Sequence, residues 1–423
     1  MLRPLLAFAL LMGCLRFASA QQPVAVPIPP DLPPLGLLPV LVEGPALPNG
    51  TPVSQPLQDS LPDPIAPPLI REKGLRPSGP LPKSWDSGEV LLWWPKPQHV
   101  PPLLTGSFPG PPVLGGANTV LLLGGGRTAP PASAGGRFVY GWALGESQQL
   151  GFEVSYLFTG TQTSHDVVGP SRAYLGRPIF DPTTGVEDVV SVSGPGNPGV
   201  FQAWASTRLQ SWGVTGLANL YDGEILRVHG LAGYRYFMVN EGLRFEQYSA
   251  FPGPDAVYRI RSADQIDAHN RFHGGELGLR SELQRGPFTL QVDTKVSLGR
   301  TVEVVRISGQ TIAVTEGLGG AATQGFAAGV FGQPSNSGRT VRSHFAVLPE
   351  GGLKLGYRLG ERARFSVGYT VFYLSDAVRP GDQIDRAVDL NPAASTLPER
   401  PLPLFVRSEY WVQGLTLGLE WRY

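Results

Sequence analysis

The feature that most constrains this chain is a period-two alternation of apolar and polar side chains. In residues 288–298 every odd position is polar, and the even positions are apolar apart from one threonine. Residues 150–159, 226–236 and 365–373 alternate in the same way. Successive side chains of a β-strand point to opposite faces of the sheet. Each segment therefore predicts a strand with one apolar and one polar face.

Residues 414–423 show the alternation most strictly. One parity is wholly apolar: Leu415, Leu417, Leu419, Trp421 and Tyr423. A water-soluble protein would normally blunt such an edge strand, so the pattern favours apolar surroundings. The spacing of four residues is that of the C-terminal signal read by the assembly machinery of outer-membrane barrels: Thr416, Gly418, Trp421 and Tyr423. We expect that machinery to be a partner and to capture the strand by edge pairing.

The connections between the predicted strands alternate between two lengths. Short polar turns are expected at 145–148, 221–224, 284–287 and 359–362. Long loops are expected at 95–135, 160–199, 249–268, 309–340 and 376–403. This arrangement is typical of an outer-membrane barrel with short periplasmic turns and long extracellular loops. Counting residues 88–94 as the first strand gives about ten strands, or twelve if 118–125 also joins the wall; residues 200–220 alternate poorly and are assigned only by position.

The fold class follows from backbone hydrogen bonding. A strand protein in hydrocarbon must close on itself, because each unpaired backbone group costs several kcal/mol there. Aromatic residues cluster near strand ends, as membrane-interface girdles require: Trp93, Trp94, Tyr140, Trp142, Tyr156, Phe158, Trp421 and Tyr423. A soluble sandwich would also alternate, but it would not need the two loop lengths or the aromatic terminal strand. We therefore predict an all-β transmembrane antiparallel up-and-down barrel over residues 85–423.

The N-terminal part predicts export. Residues 1–20 combine an early arginine, a short apolar run and small residues at 18–20, as in a secretory signal peptide. An alternative is a lipoprotein signal that acylates Cys14, the single cysteine of the chain. Residues 21–84 are rich in proline, which favours an extended, disordered linker and prevents strand pairing. The expected location is the bacterial outer membrane.

Composition excludes several classes of function. Basic and acidic residues are equal at 34 each, so no electrostatic footprint for nucleic acid is present. The sequence has no metalloprotease, nucleophile-elbow or phosphate-loop motif. We therefore expect no cofactor, metal or catalytic residue. Four acidic residues could offer oxygen ligands to calcium, but they lack the spacing of a known calcium-binding loop: Asp166, Asp181, Glu187 and Asp188.

Several blocks of sequence resemble a known family. They occur in the order GEVLLWWPK, GGRFVYGWAL, RPIFDPTTGVED, NRFHGGELGL, GQPSNSGRTVRSHFAVLPE and VRPGDQID. Together they are similar to the beta-barrel porins numbered seven in their series, from about Trp85 to Tyr423. The resemblance implies an outer-membrane barrel, and it supplies no substrate or catalytic residue.

The polar parity of the strands supplies the candidate lumen residues. They carry charges of both signs: Glu153, Arg227, Arg235, Glu276, Arg280, Glu282, Asp293, Lys295, Glu350, Lys354, Arg358, Arg364, Glu420 and Arg422. A barrel of about ten strands has a narrow interior. Opposite charges would therefore either pair as a structural plug or line a narrow, weakly selective passage.

Three functions are compatible with this pattern. The first is a porin for passive diffusion of small polar solutes, embedded in outer-membrane lipid. The second is a closed structural or surface-binding barrel without conductance. The third is a hydrolase at the extracellular rim, for which the residues are Asp264, Asp267, His269, His273, Asp382 and Asp385; side chains must meet within hydrogen-bond reach for that chemistry.

Overall fold

A computed structural model describes residues 81–169, 173–317, 320–390 and 398–423. The predicted signal peptide lies outside the described residues. So does the predicted linker, apart from residues 81–84, of which Ser84 already belongs to the first strand.

The described residues form eighteen strands and one 3₁₀ helix (Pro380–Gln383). In chain order the strands are β1 (Ser84–Pro95), β2 (Gln98–Val100), β3 (Leu104–Ser107), β4 (Thr119–Leu123), β5 (Gly126–Thr128), β6 (Ser133–Leu144), β7 (Leu150–Thr159), β8 (Gln162–Val168), β9 (Tyr174–Asp181), β10 (Val186–Ser193), β11 (Gly199–Asp222), β12 (Leu226–Pro252), β13 (Ala256–Arg285), β14 (Phe288–Gly317), β15 (Gly320–Phe326), β16 (Gly338–Arg358), β17 (Ala363–Val378) and β18 (Arg407–Arg422). No helix among the described residues has the length and apolarity needed to cross a membrane.

Ten of these strands close into an antiparallel ring, which confirms the predicted fold class. Their order around the ring is β1, β6, β7, β11, β12, β13, β14, β16, β17 and β18. The ring closes because β18 pairs with β1 from Trp85 opposite Arg422 to Pro95 opposite Val412. Residues 118–125 do not join the wall, because β4 belongs to a separate sheet with β3, β9 and β10. The poorly alternating residues 200–220 lie within the continuous strand β11.

The two parities of the wall strands have different surroundings. On β14, the polar residues Gln291 and Asp293 are buried in the barrel, whereas Val292 and Leu298 are exposed on the outside. The exposed apolar residues cover the part of the wall nearest the short turns, as a lipid-facing band does. On β14 the band ends where Arg300 follows Leu298 on the outward parity. We call this the lipid band, and the strand segments behind it the membrane-spanning segments.

The two ends of the ring differ as expected, with two corrections. Short turns connect β6 to β7, β11 to β12, β13 to β14 and β16 to β17, and they define the short-turn end. At the long-loop end, residues 249–268 are not a loop: β12 and β13 continue through this segment and only residues 253–255 connect them. The segment 309–340 likewise begins with strand, because β14 extends to Gly317. The turn residues at 252–255 form only the tip of this hairpin. The charged residues on either side of the tip lie on strands that extend beyond the membrane, so the sequence there shows no apolar alternation.

The interior of the ring is layered along its axis. On β12 the inward residues read Leu231, Arg235, Phe237 and then Phe245 from the short-turn end. Leu231 packs with Trp85 near the short-turn end. Arg235 pairs with Glu276 in a layer of buried charged side chains, which we call the charged layer. Phe237 belongs to an apolar layer whose members are Leu91, Trp93, Leu157, Leu209, Phe237, Val239, Phe272, Ala346, Leu348, Phe372, Leu374, Ala377, Tyr410 and Val412.

Beyond the apolar layer, the connecting segments fold into the mouth of the barrel. Leu104 of β3, Ile179 of β9 and Val388 pack against Phe245 of β12 and Ile266 of β13. We call the described residues between β1 and β6, between β7 and β11 and between β17 and β18, together with this shared core, the loop body. Apolar burial therefore holds the long loops inside the extended wall instead of leaving them in solvent.

Candidate functional site

The charged layer is built from ion pairs that cross the barrel interior. Arg235 on β12 donates from Nε to Glu276 Oε2 on β13 at 2.8 Å, and from Nη2 to Glu350 Oε2 on β16 at 2.8 Å. Arg137 on β6 has its Nη1 atom 3.8 Å from Glu350 Oε1. Glu350 thus joins strands from opposite sides of the ring. All four side chains are buried, so leaving any one of them unpaired would be costly.

A second set of pairs lies nearer the short-turn end. Arg280 on β13 donates to both carboxylate oxygens of Glu153 on β7, at 2.7 and 3.0 Å, and to Asp293 Oδ1 at 2.7 Å. Trp85 Nε1 also donates to Glu153 at 2.9 Å. Lys295 Nζ lies 3.3 Å from Glu276 Oε1, so Glu276 of the first set has a second basic partner. A fork of guanidinium donors to a carboxylate is the strongest kind of protein ion pair.

The structure places thirteen of the fourteen candidate lumen residues in ion pairs. Arg227 pairs with Asp222 at 2.8 Å, and Arg364 and Arg422 both pair with Glu420 and Glu282. Lys354 pairs with Glu89. Arg358 is half-buried at the end of β16 and has no salt bridge within the described part of the chain. A polar cavity of about 60 Å³ remains among these residues near the short-turn end, bounded by Arg280, Glu282 and Arg422.

Sequence reasoning missed two central members of the charged layer, Glu89 and Arg137. Arg137 Nε donates to Glu89 Oε2 at 2.8 Å, and both side chains are buried. The alternation could have identified them, because Arg137 has the parity opposite to that of Phe138 and Tyr140. Glu89 precedes the run from Leu91 to Trp94, in which both parities are apolar, so the pattern there is less distinct.

The apolar layer closes the interior above the charged layer. The ring of Phe372 on β17 lies 5.5 Å from that of Trp93 on β1 and 5.5 Å from that of Phe237 on β12. These three side chains are at most 1 % exposed. Because β12 and β17 are separated by three other strands along the shorter path around the ring, this chain of contacts spans the interior.

The end of β17 also lies inside the barrel. Asn270 on β13 donates from Nδ2 to the Val378 carbonyl at 2.8 Å, and the Val378 amide donates to Asn270 Oδ1 at 2.8 Å. Next along the chain, Arg379 binds both oxygens of Glu241 on β12, at 2.9 and 2.6 Å. Arg379 donates further to the carbonyls of Lys96 and Pro97, at 3.0 and 2.9 Å. This arginine therefore connects three segments at the base of the loop body.

A second buried pair holds β9 inside the wall. Arg177 Nη2 donates to Asp264 Oδ2 at 2.7 Å, and neither side chain is exposed. Asp264 Oδ1 accepts the amides of Phe331 and Gly332, at 2.9 and 2.8 Å. The guanidinium of Arg177 lies 4.6 Å from the centre of the Phe331 ring. The carboxylate is thereby satisfied by structural contacts.

The residues considered for hydrolysis do not come together. Asp264 faces inward, whereas Asp267, His269 and His273 share the outward parity of β13. His273 Nδ1 lies 2.7 Å from the Tyr234 hydroxyl, on the outside of the barrel. Asp382 accepts Ser408 Oγ at 3.0 Å, and Asp385 lies 3.2 Å from Arg400. Among these six described side chains, no carboxylate and imidazole lie within hydrogen-bond reach of each other.

The acidic residues considered for calcium are likewise dispersed. Asp181 accepts the Thr183 amide and the Thr184 hydroxyl, both at 2.8 Å, in the turn between β9 and β10. Glu187 pairs with Arg386. Across the described residues, no group of three or more His, Cys, Asp or Glu side chains is placed to hold a metal.

Glu303 is an exception to the pairing of buried charges. It lies inward on β14, beyond the lipid band, is fully buried, and neither carboxylate oxygen has a hydrogen-bond partner among the described residues. Burial raises the pKa of this carboxyl to about 7, an effect that nearby Asp376 reinforces and Arg407 and Arg342 oppose. His344 Nε2 lies 4.0 Å away.

This carboxyl is expected to make stability depend on pH. Because the pKa of Glu303 is about 7 when folded and near 4.5 in the unfolded chain, the folded state binds the proton more tightly. Its contribution is complete below pH 4.5 and is lost as the pH rises to 7, by up to about 3 kcal/mol. Glu303→Gln should flatten this dependence, measured as guanidinium unfolding midpoints of the barrel in lipid vesicles at pH 4.5 and 8. His344→Gln is the control, which should keep the dependence; an equally steep profile for Glu303→Gln would contradict the assignment.

Comparisons with solved structures find outer-membrane barrels. The outer membrane protease OmpT from Escherichia coli is 11% identical, with 81% of this chain and 97% of that chain covered and a TM-score of 0.41. A FadL homologue of Pseudomonas aeruginosa is 7% identical, with 80% and 90% covered and a TM-score of 0.21. The P. putida toluene transporter TodX is 8% identical, with 82% and 91% covered and a TM-score of 0.20. With TM-scores below 0.5, these likenesses carry no conclusion about this chain.

A comparison with curated proteins gives no match. The family comparison gives a match over residues 85–423, which begins with the second residue of β1 and includes every wall strand. The matching model is described as "Putative beta barrel porin-7". Closure of the ring, the lipid band and this match agree on a barrel of the bacterial outer membrane. The chain therefore belongs to the Putative beta barrel porin-7 family.

Proposed function

We propose that this protein is a closed outer-membrane barrel that anchors the loop body at the cell surface. The observation that carries the proposal is the contact of Phe372 with both Trp93 and Phe237 across the interior. Water and polar solutes would have to displace these buried rings. The charged layer beneath them adds a second barrier, because its ion pairs use the polar groups that a permeating solute would otherwise contact.

The anchored loop body offers a surface suited to binding. Strand β4 is an edge strand of the sheet ordered β10, β9, β3 and β4, and its residues Val120, Leu121 and Leu122 are all exposed. Phe108, just after β3, is 67% exposed. An apolar edge can accept an added strand from a partner, and exposed apolar patches mark interaction sites. We therefore infer that the barrel presents this edge to an extracellular partner.

The test is single-channel conductance of refolded protein in a planar bilayer. A heat-shifted gel band first verifies that the barrel has folded. We expect no discrete current steps from the native chain, because Trp93, Phe372 and Phe237 meet across the interior. Reproducible steps would contradict the proposal and would favour passive diffusion of small polar solutes.

Passive diffusion, the first function expected from the sequence, would require the loop body to move. The polar cavity of about 60 Å³ near the short-turn end favours this second candidate, because charged residues line it. Solutes that reach this cavity would still meet the apolar layer above it. We propose no catalytic role, since Asp264 is paired with Arg177 inside the barrel and His273 contacts the Tyr234 hydroxyl on the outside.

A further inference from the structure

The outer surface of the barrel carries an unusual group of arginines just beyond the lipid band. Arg208 on β11, Arg271 on β13 and Arg300 on β14 are exposed on the outward face. They form no salt bridge with any described residue, and Arg300 donates a hydrogen bond to the Ser343 hydroxyl. Farther from the band, Arg306 on β14 lies opposite Arg339 on β16 and opposite Asp267 on β13, and no salt bridge joins these three described residues. The like charges of Arg306 and Arg339 repel in such positions. We call these five arginines the arginine belt.

The belt occupies only one side of the barrel. On the opposite side, charges near the same level are paired: Lys96 with Glu409, and Arg407 with Asp376 at 3.5 Å. A solvent-facing surface that only needed solubility would mix the two signs in the same way. Unpaired positive charge confined to one face therefore indicates an anionic partner that is absent from the chain itself.

A groove leads from the lipid band to the arginine belt. Its floor is made of Gly274, Gly275 and Gly299, and its apolar sides of Tyr234, Leu298 and Phe345. The groove has a volume of about 630 Å³, and Arg300 and His273 lie at its polar end. Just below, Trp212 and Tyr236 stack at 5.8 Å, and Tyr236 lies 4.9 Å from His273, as in an interfacial girdle.

We propose that this face binds a phosphorylated lipid of the outer leaflet, with its phosphate on Arg271 and Arg300 and an acyl chain in the groove. Guanidinium groups bind phosphate through paired, charge-assisted hydrogen bonds. An occupant that reaches Arg300 from the groove has its remaining length inside the bilayer, which identifies a lipid and not a soluble anion. A zwitterionic headgroup would lack the net charge that the unpaired arginines complement.

The test is native mass spectrometry of the detergent-purified barrel with dioleoyl phosphatidic acid, dioleoyl phosphatidylcholine or inorganic phosphate. We expect one retained phosphatidic acid per barrel and at least tenfold weaker retention of phosphatidylcholine. The double variant Arg271→Gln/Arg300→Gln should bind phosphatidic acid about thirtyfold more weakly. The control Arg259→Gln/Arg407→Gln removes the same charge from arginines that pair with Glu316 and Asp376, and it should bind normally.

A second pair of variants tests the groove without changing charge. Gly275 is outward, and a Cβ atom there would meet nothing closer than the Gly233 carbonyl at 4.0 Å, so Gly275→Leu should fold and fill the groove. Gly88→Leu adds the same side chain to the lipid-facing side of β1 and is the control. Equal binding by Gly275→Leu and Gly88→Leu, or by the two arginine double variants, would overturn the proposal. So would equal retention of phosphatidylcholine, or displacement of phosphatidic acid by an equal concentration of inorganic phosphate.

Discussion

Alanine at both Trp421 and Tyr423 is expected to abolish insertion of this chain into the outer membrane while leaving export intact. In the structure the spacing residues Thr416 and Gly418 are buried inside the barrel, Trp421 is half-buried and Tyr423 is exposed. Trp421 lies near the end of the pairing between β18 and β1, and Tyr423 is one residue beyond β18. A purely structural role would therefore reduce stability modestly. Loss of a recognition signal would instead remove insertion almost completely.

The measurement is the amount of barrel in outer-membrane fractions of an expressing bacterium, with periplasmic accumulation measured in parallel. Leu415→Ala/Leu417→Ala is the matched control. It removes apolar area from the same outward face of β18, where both leucines are exposed. We expect the control to insert at a level close to that of the native chain. Insertion of both double variants at similar levels would show that Trp421 and Tyr423 act only as lipid-facing side chains.

Replacing Arg379 with methionine is expected to release the segment between β17 and β18 from the barrel interior. The change removes two hydrogen bonds to Glu241 and two to backbone carbonyls, and it leaves the buried Glu241 with no ion-pair partner among the described residues. Breaking a buried ion pair in this way destabilises by about 3–5 kcal/mol. Because the segment is held at one end of a closed ring, we expect local release and not loss of the barrel. Limited proteolysis within residues 379–406 should become much faster.

Two controls separate this release from general destabilisation. Arg400→Met removes a more exposed arginine of the same segment, one that pairs with Asp385, and it should change proteolysis little. Arg379→Met/Glu241→Met removes both partners and should recover part of the lost stability, since no buried charge is left alone.

Conductance of the Arg379→Met variant then tests the passive-diffusion alternative. Current steps in this variant alone would identify the segment as a gate, whereas silence would assign closure to the apolar layer.

The C-terminal alternation shows how much local sequence could predict. Leu415 and Leu417 face outward and Thr416 is buried. A strand in a bilayer wall has only two faces, and successive side chains point to opposite ones. The same reasoning gave the ring of ten strands and the short turns. It failed at residues 249–268, where charged residues interrupt the apolar parity although the backbone continues as strand. Beyond the membrane the outward face meets water, and the two-face rule no longer distinguishes strand from loop.

The state of the interior depends on contacts that no local pattern contains. The sequence supplied Arg235, Glu276 and Glu350 as inward charges and left open whether they form a plug or line a passage. Ring order decides which strands face each other, and so brings Arg235 within 2.8 Å of Glu350. The apolar layer could not be predicted from the sequence for a related reason. Trp93 and Phe372 share a parity with polar residues, and only closure of the ring places their side chains together. The sequence by itself thus determined the wall, because the bilayer imposes a periodic rule on each strand. The tertiary structure alone decided the contents of the interior, because those contacts join residues far apart in the chain.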